Sequence, residues 1–570
     1  MENFYNDDRK FYLNNIDLSE VISDLENDFQ EKGPDALHSV DEAKEWYEMV
    51  LKNAGDICAN FIAPRAEAVD EQGPTYRDGL VTWAPETREN MKVLSDAGYM
   101  GGTLPRKYGG LNLPVTVNTL LVEMVSQADA SLMNLFGLQD IAVTINKFGD
   151  EEQKNRVLPK FCNGEVSGSM ALTEPDAGSD LQSVALKAIE KDGQWYLDGV
   201  KRFITNGSGE VSLVLARSEE GSRGGRGLSM FLYERYRDDN MIVRRIENKH
   251  GIHGSPTCEL QFNMAKAELV GKRKFGLIKY VMSLMNGARL AVSAQALGIA
   301  QAAYEEAVKY ASEREQFGQA IVHFPAVYQM LKKMQAEIET TRMLIYRTAQ
   351  FVDLEDMYER KSQRGEDVRR EMKYAVAMAG FLTPLSKFTA TEMANKVAYD
   401  AVQIHGGCGY MKDFPVERLA RDARITNIYE GTTQLQVVAA IGGVINNVLE
   451  KEWEILQELS IKELSADKER VLGFARQLQE IVAEISGLKN KDFQDFVANY
   501  LVEIASLAYR CALFLPVAEE HKEKRELFRF FMNEAATRID YLANEIRSLK
   551  ENYGESIVNL KADFVVKQHD

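Results

Sequence analysis

The period of the apolar residues changes twice along this chain, and that change limits its possible folds more than any single motif. Residues 41–66 and 118–147 are apolar-rich and almost free of proline, which predicts helices. Residues 98–114, dense in glycine with two prolines, read as the loop between them. After Gly168 the apolar runs shorten and alternate over 184–200 and 205–217. Asp192-Gly193, Asp198-Gly199 and Asn206-Gly207 punctuate these runs as hairpin turn signals, so a small antiparallel β domain is expected. The helical pattern returns over 286–448, with 291–312 and 372–403 as candidate bundle helices. Farther on, Val471, Phe474, Leu478, Ile481, Ile485 and Leu488 alternate spacings of three and four, an amphipathic stripe followed by helices near 491–515 and 522–549.

At 570 residues the chain exceeds one hydrophobic core. The expected divisions are a helical domain over 1–165, a middle β domain over 166–280, a helical bundle over 281–450 and an additional helical module over 451–570. The fold class is α+β and multidomain, mainly α. A net charge of -18 argues against a nucleic-acid partner, because affinity for phosphate backbones needs clustered Lys and Arg. Cys58, Cys162, Cys258, Cys408 and Cys511 are scattered singly, which suits reduced cytoplasmic thiols and not a disulfide framework. Of seven histidines only His250 and His253 lie close together, so no metal site is expected. No basic leader and no run of about 18 apolar residues is legible, so neither targeting nor a membrane span is expected.

One segment reads as chemistry. In Asn427-Ile428-Tyr429-Glu430-Gly431-Thr432-Thr433-Gln434 a carboxylate stands between an aromatic residue and a glycine, as suits a base in a dry pocket with its backbone close to a ligand. Taken alone, Glu430 reads more readily as a helix-start carboxylate favoured by the dipole.

Four further segments decide between these. Met170-Ala171-Leu172-Thr173-Glu174-Pro175-Asp176-Ala177-Gly178-Ser179-Asp180 resembles the flavin signature of the acyl-CoA dehydrogenase family, and Arg202-Phe203-Ile204-Thr205-Asn206-Gly207 its second flavin segment. Arg314-Glu315-Gln316-Phe317-Gly318 is similar to the arginine segment that reaches the neighbouring subunit's FAD, and Gln403-Ile404-His405-Gly406-Gly407 precedes the Glu430 motif at the family's interval. The resemblance covers about 40–445. It implies an N-terminal helical domain, a middle β domain and a four-helix C-terminal domain, with FAD at their junction and across a dimer interface.

The resemblance also implies roles. Glu430 is the base that removes the α-proton of an acyl-CoA thioester, and its backbone N–H, with a flavin ribityl hydroxyl, receives the developing enolate oxygen. Met170, Leu172, Thr173, Phe203 and Thr205 match flavin contacts; Phe203 stands where a tryptophan is more usual. Arg314, Phe317, Gln403 and Gly407 match contacts to the pyrophosphate and adenine of the partner's cofactor, and Thr432 and Gln434 further FAD contacts. Ser179, Asn286, Arg289 and Gly431 match the substrate side, although Arg289 also reads as a helix-start salt-bridge partner. Some members carry the base immediately before that arginine, where this chain has Ala288. Pro325 replaces a common FAD-touching glutamine, and His405 reads as a packed spacer.

The expected reaction is dehydrogenation to a trans-2-enoyl-CoA with electrons passed to electron-transfer flavoprotein. An acyl-CoA oxidase and a DNA-associated flavoprotein of the same fold are the alternatives, and the acidic C-terminal module, with 17 basic and 22 acidic residues over 451–570, opposes the second. Extensions of this kind occur in very-long-chain members and in the 3-methylmercaptopropionyl-CoA dehydrogenase type, which the Lys249–Cys258 stretch resembles more. The module is expected to cover the surface that shorter relatives use to form tetramers, leaving a homodimer.

Overall fold

The computed structural model describes residues 2–30 and 36–554. Among the N-terminal helices, Val40–Ile57 is capped by Ser39, whose hydroxyl accepts from the Glu42 N–H, and it widens into a π turn at Cys58–Ile62 just before Pro64. The helix expected over 118–147 is instead three: Val115–Ala128, Ala130–Phe136 and Ile141–Phe148. Asp129 is the cause. Its backbone is extended, and its carboxylate accepts from Ser131 N at 2.8 Å and Leu132 N at 3.2 Å, which ends one helix and caps the next.

The β region holds β1 (Gly168–Ala171), β2 (Lys187–Lys191), β3 (Gln194–Thr205), β4 (Val211–Arg217), β5 (Leu228–Glu234), β6 (Met241–Ile246) and β7 (Thr257–Leu269). Neighbours run β1-β4-β2-β3-β7-β5, with β6 on β7 and β4 also on β5, so the pairings close on themselves. Most are antiparallel, but β4 pairs parallel with β1 and, at one position, with β2, because the flavin-type segment carries the chain from β1 across to β2. Asp192-Gly193 does turn a hairpin, both residues having positive φ. Asp198-Gly199 does not: it lies inside β3 at a bulge, where Gly199 at φ 142° passes 3.1 Å from Leu186 as measured to an added Cβ. Asn206-Gly207 also makes no hairpin, since the strand it leads to pairs with β1 and β5 and not with β3.

Helices Met282–Glu313, Pro325–Gln363, Arg369–His405 and Thr433–Ile445 form the bundle, with the shorter Pro415–Thr426 beside them. Pro325 occupies the first turn of its helix, where no N–H is needed. In the last part of the chain, Val471, Phe474, Leu478, Ile481 and Ile485 are buried and Leu488 half-buried, against the neighbouring helices Lys491–Glu520 and Arg525–Tyr553. Lys491–Glu520 continues through Pro516, past the expected end near 515. It is long and apolar enough to cross a membrane, yet 78% of its most apolar stretch is buried inside the protein, packed on the bundle helices.

A single apolar core runs from Phe4 through the bundle to Ile546. The chain ahead of residue 40 is pinned to it by Arg9, which is fully buried and donates to Glu123 at 2.9 Å. The same arm meets the last helices: Phe11 packs edge-on against His521 at 4.5 Å, and Tyr12 and Lys524 converge on Glu339.

Candidate active site

Glu430 stands in the turn between Pro415–Thr426 and Thr433–Ile445, in the left-handed region at φ 53°, followed by Gly431 at φ 89°. A non-glycine residue there stores about 1–3 kcal/mol of strain, so surrounding structure has to hold it. Thr433 N donates to Asn427 O at 3.1 Å, and Gln436 Nε2 donates to the carbonyls of Glu430 at 3.2 Å and Gly431 at 2.8 Å. From helix Arg369–His405, Lys387 Nζ donates to Thr426 O at 3.0 Å and Gly431 O at 2.7 Å, while Glu392 accepts from Asn427 and Thr433. A Cβ on Gly431 would come within 2.7 Å of Gln436 Nε2, so the position requires glycine on both space and φ. Tyr429 turns the other way, its hydroxyl meeting Gln295 and Asn134.

The Glu430 carboxyl is half-buried, and burial raises it above the usual carboxylate range, opposed first by Lys387 and then by Arg289. Lys387 is fully buried and pulled down to about 7, chiefly by loss of solvent, with the Glu430 carboxylate acting in the other direction. Arg289, from helix Met282–Glu313, is 8% exposed and also lowered by burial. Its Nη1 donates to Asn286 at 3.2 Å, its Nε has no partner, and it forms no ion pair among the described residues. The salt-bridge reading of Arg289 thus finds no carboxylate here.

These groups open into a cavity of about 1750 Å³ between the helices and the sheet. Met170, Leu172, Thr173, Ser179, Phe203, Thr205, Asn286, Arg289, Glu430, Gly431 and Thr432 all line it. The loop after β1 is braced by Glu174, whose carboxylate accepts from Ala185 N at 2.7 Å, Leu186 N at 3.0 Å and Lys201 Nζ at 2.8 Å; Lys201 also donates to Leu172 O at 2.8 Å. Phe203, at φ 60°, is 54% exposed with the Arg202 guanidinium 4.7 Å from its ring centre. The hydroxyls of Thr173, Ser179 and Thr205 hydrogen-bond to nothing among the described residues, and so remain available to a ligand.

The remaining expected residues lie elsewhere. Arg314 and Gly407 line a second hollow of about 530 Å³ with Tyr310, His405 and Cys408. Phe317, at the tip of the hairpin Glu315–Gln316/Gln319–Ala320, is 96% exposed, and Gln403 is exposed on the helix before Gly407. His405 is a packed residue, stacked on Tyr310 at 4.2 Å with its ring bonded to Ala401 O. Gln434 is exposed at the start of Thr433–Ile445, outside the lining of both hollows. Sequence reading missed Lys387, Glu392 and the Gln295–Asn134 pair. A lysine inside the apolar run Phe381–Ala390 was the one available signal for the first.

Family models described as the N-terminal, middle and C-terminal domains of acyl-CoA dehydrogenase match residues 44–165, 169–265 and 278–441. An acyl-CoA dehydrogenase of Bacillus subtilis is 35% identical over 393 residues, covering 68% of this chain and 95% of that relative. A 3-methylmercaptopropionyl-CoA dehydrogenase of Ruegeria pomeroyi is 35% identical over 422 residues, 69% of each chain. A solved structure of a Bacillus anthracis acyl-CoA dehydrogenase complexed with FAD is 24% identical, with a TM-score of 0.75 over 92% of this chain and 91% of that one, so the fold is shared well beyond residue 450.

Proposed function

This chain belongs to the acyl-CoA dehydrogenase family, FAD-dependent oxidoreductases acting on CH–CH bonds, and we propose that it converts an acyl-CoA thioester to its trans-2-enoyl-CoA and passes the electrons to electron-transfer flavoprotein. The observation that carries this reading is the convergence of Glu430, Arg289 and the flavin-type residues Leu172, Thr173 and Thr205 on one cavity. Bound FAD supplies the acceptor for the β-hydride, which no side chain can provide. The cavity fits such a group: it is large, its wall carries free hydroxyls at Thr173 and Thr205, and Phe203 presents an aromatic face.

Glu430 takes the α-proton. Its raised basicity suits a weak carbon acid, and an apolar acyl chain displacing water from the cavity raises it further. The Glu430 N–H receives charge developing on the thioester oxygen, and the fixed turn holds donor and base together. Arg289, with its unpaired Nε, and Ser179 supply the polar contacts to the CoA ester.

Arg314, Phe317, Gln403 and Gly407 serve the cofactor of a second copy, so the working unit is a homodimer; their exposure around the second hollow supports this. The module after residue 450 covers its own bundle in place of a second dimer. Five unpaired cysteines fit a cytoplasmic setting.

The test is anaerobic bleaching of the flavin absorbance with acyl-CoAs of increasing length, followed by reoxidation with electron-transfer flavoprotein or oxygen. Bleaching with slow reoxidation by oxygen is expected. Fast oxygen turnover would assign an oxidase, and no bleaching by any acyl-CoA would overturn the reading.

A further inference from the structure

Lys387 is a charged side chain that the reaction as described does not use. It lies midway along helix Arg369–His405, fully buried, in the run Phe381-Leu382-Thr383-Pro384-Leu385-Ser386-Lys387-Phe388. Placing an ammonium there is costly unless it is matched by acceptors or counter-charge. Among the described residues no carboxylate lies within ion-pairing distance of Nζ, and its two acceptors are both backbone carbonyls. Thr426 O, at 3.0 Å, ends the helix before the catalytic turn, and Gly431 O, at 2.7 Å, follows Glu430. The lysine therefore bridges the two ends of a turn that contains two successive left-handed residues. Glu392 and Asn395, one and two helical turns farther along the same helix, hold Asn427, Thr433 and Ala423, so the turn is fixed at several points, and among the described residues Lys387 is the buried cation that hydrogen-bonds to its backbone.

We propose that Lys387 is a positioning residue for Glu430: its Nζ, hydrogen-bonded to Thr426 O and Gly431 O, pins the turn in the conformation that aims the carboxylate into the cavity. This rests on the reading of Glu430 as the base. The charged groups facing Lys387 are Glu430 from the turn, Arg289 from helix Met282–Glu313 and Glu392 from its own helix; those facing Glu430 are Lys387 and Arg289. Both cations favour the Glu430 anion, Lys387 ahead of Arg289. The sign follows directly. A cation beside a carboxylate favours the anion, so removing it moves Glu430's titration upward and the base form is reached only at higher pH.

The test compares wild type, Lys387→Met, Lys387→Gln and Glu430→Gln as FAD-loaded full chains, measuring bound flavin, thermal unfolding and the anaerobic rate of flavin bleaching at saturating acyl-CoA from pH 5.5 to 9.5. Lys387→Met is expected to keep its flavin, to bleach roughly 10- to 100-fold more slowly near neutral pH, the scale expected for a misplaced catalytic group, and to recover rate as pH rises. Lys387→Gln keeps a donor for one carbonyl without the charge, so it should lose less rate while its acid limb moves the same way. A wild-type rate and an unmoved acid limb in both variants, with Glu430→Gln inactive, would overturn the role of Lys387 and leave Glu430 standing. An active Glu430→Gln would instead sink the reading of the base. Variants that lose flavin or unfold together with their activity would assign Lys387 to packing of the helix and equally overturn the proposal.

Discussion

Replacing Glu430 by glutamine isolates the proton-transfer step, because the side chain contributes nothing to the fold of its own turn. The turn is held through the backbone carbonyls of Glu430 and Gly431, taken by Gln436 and Lys387, and through Asn427 and Thr433 on Glu392, while Glu430's own carboxylate accepts no hydrogen bond among the described residues. Glutamine is isosteric, so cavity shape and the N–H donor of residue 430 persist. What is lost is the base, which is typically worth ~100- to 10,000-fold in rate, or about 3–5 kcal/mol of barrier at 1.36 kcal/mol per decade. A secondary effect runs through Lys387, which loses the carboxylate that favours its charged form and is driven further toward the neutral amine. The amine still donates to Thr426 and Gly431, so the turn survives. Stopped-flow bleaching under anaerobic conditions, alongside flavin content and acyl-CoA binding by spectral shift, separates these effects. The expected variant is yellow, binds substrate and bleaches slowly. A near-normal bleaching rate would refute the assignment, and a variant stripped of flavin would refute the claim that the Glu430 side chain takes no part in holding the turn.

Other expectations follow from separate parts of the molecule. Flavin reduction by wild type should rise with pH through a titration above the ordinary glutamate range, since burial raises Glu430 and only its ionised form accepts the proton; a limb near 4.5 or none at all would contradict this. At Lys387, held at about 7 when folded against 10.5 ordinarily, the unfolded chain binds a proton across that interval that the folded chain has released, so wild-type stability relative to Lys387→Met should increase from neutral to alkaline pH in denaturant titrations. Arg314→Ala should loosen FAD and weaken the dimer together, and unchanged cofactor affinity would confine Arg314 to its own subunit. Arg9→Met should destabilise the protein by about 3 kcal/mol, the low end for breaking a buried pair, because Glu123 keeps Arg342 at 3.0 Å and Tyr346 at 2.6 Å; a thermal midpoint equal to wild type would show the arm to be dispensable. Light scattering should give the mass of two chains, and four would sink the capping role of the module.

Helix and strand order was legible because period alone carries it: the stripe from Val471 to Ile485 is buried as its spacing demands. What failed had a competing local interaction. Asp129 interrupts an otherwise apolar helix because its carboxylate serves the next two residues' N–H groups, a choice invisible to a hydrophobic period. Asp198-Gly199 has hairpin composition, yet long-range pairing of β3 with β7 absorbs it as a bulge. At the site, eleven of the residues singled out by short motifs share one cavity, because each motif is a contiguous segment that the fold lays along its wall. Lys387 was not found, because a lone lysine on a helix ordinarily reads as solvated; its role exists only once the turn around Glu430 folds onto it.

The length of helix Arg369–His405 bears on the proposed homodimer. Lys387 touches the Glu430 turn, and His405 at the helix end borders the second hollow 18 residues later, which at 1.5 Å per residue places the two about 27 Å apart along the axis. The arginine and glycine segments thus sit at the far end of the helix from their own chain's base. Around that end the chain exposes Phe317, Tyr410 and Met411 to solvent, an arrangement apolar enough to require cover. In the proposed homodimer, a second copy of the chain placed with its cavity against this end would cover those residues and bring Arg314 to a cofactor bound opposite. In such a dimer the Glu430 turn and the Arg314 segment would lie at two ends of one helix serving two sites, and any change that loosens the dimer should release flavin from both at once.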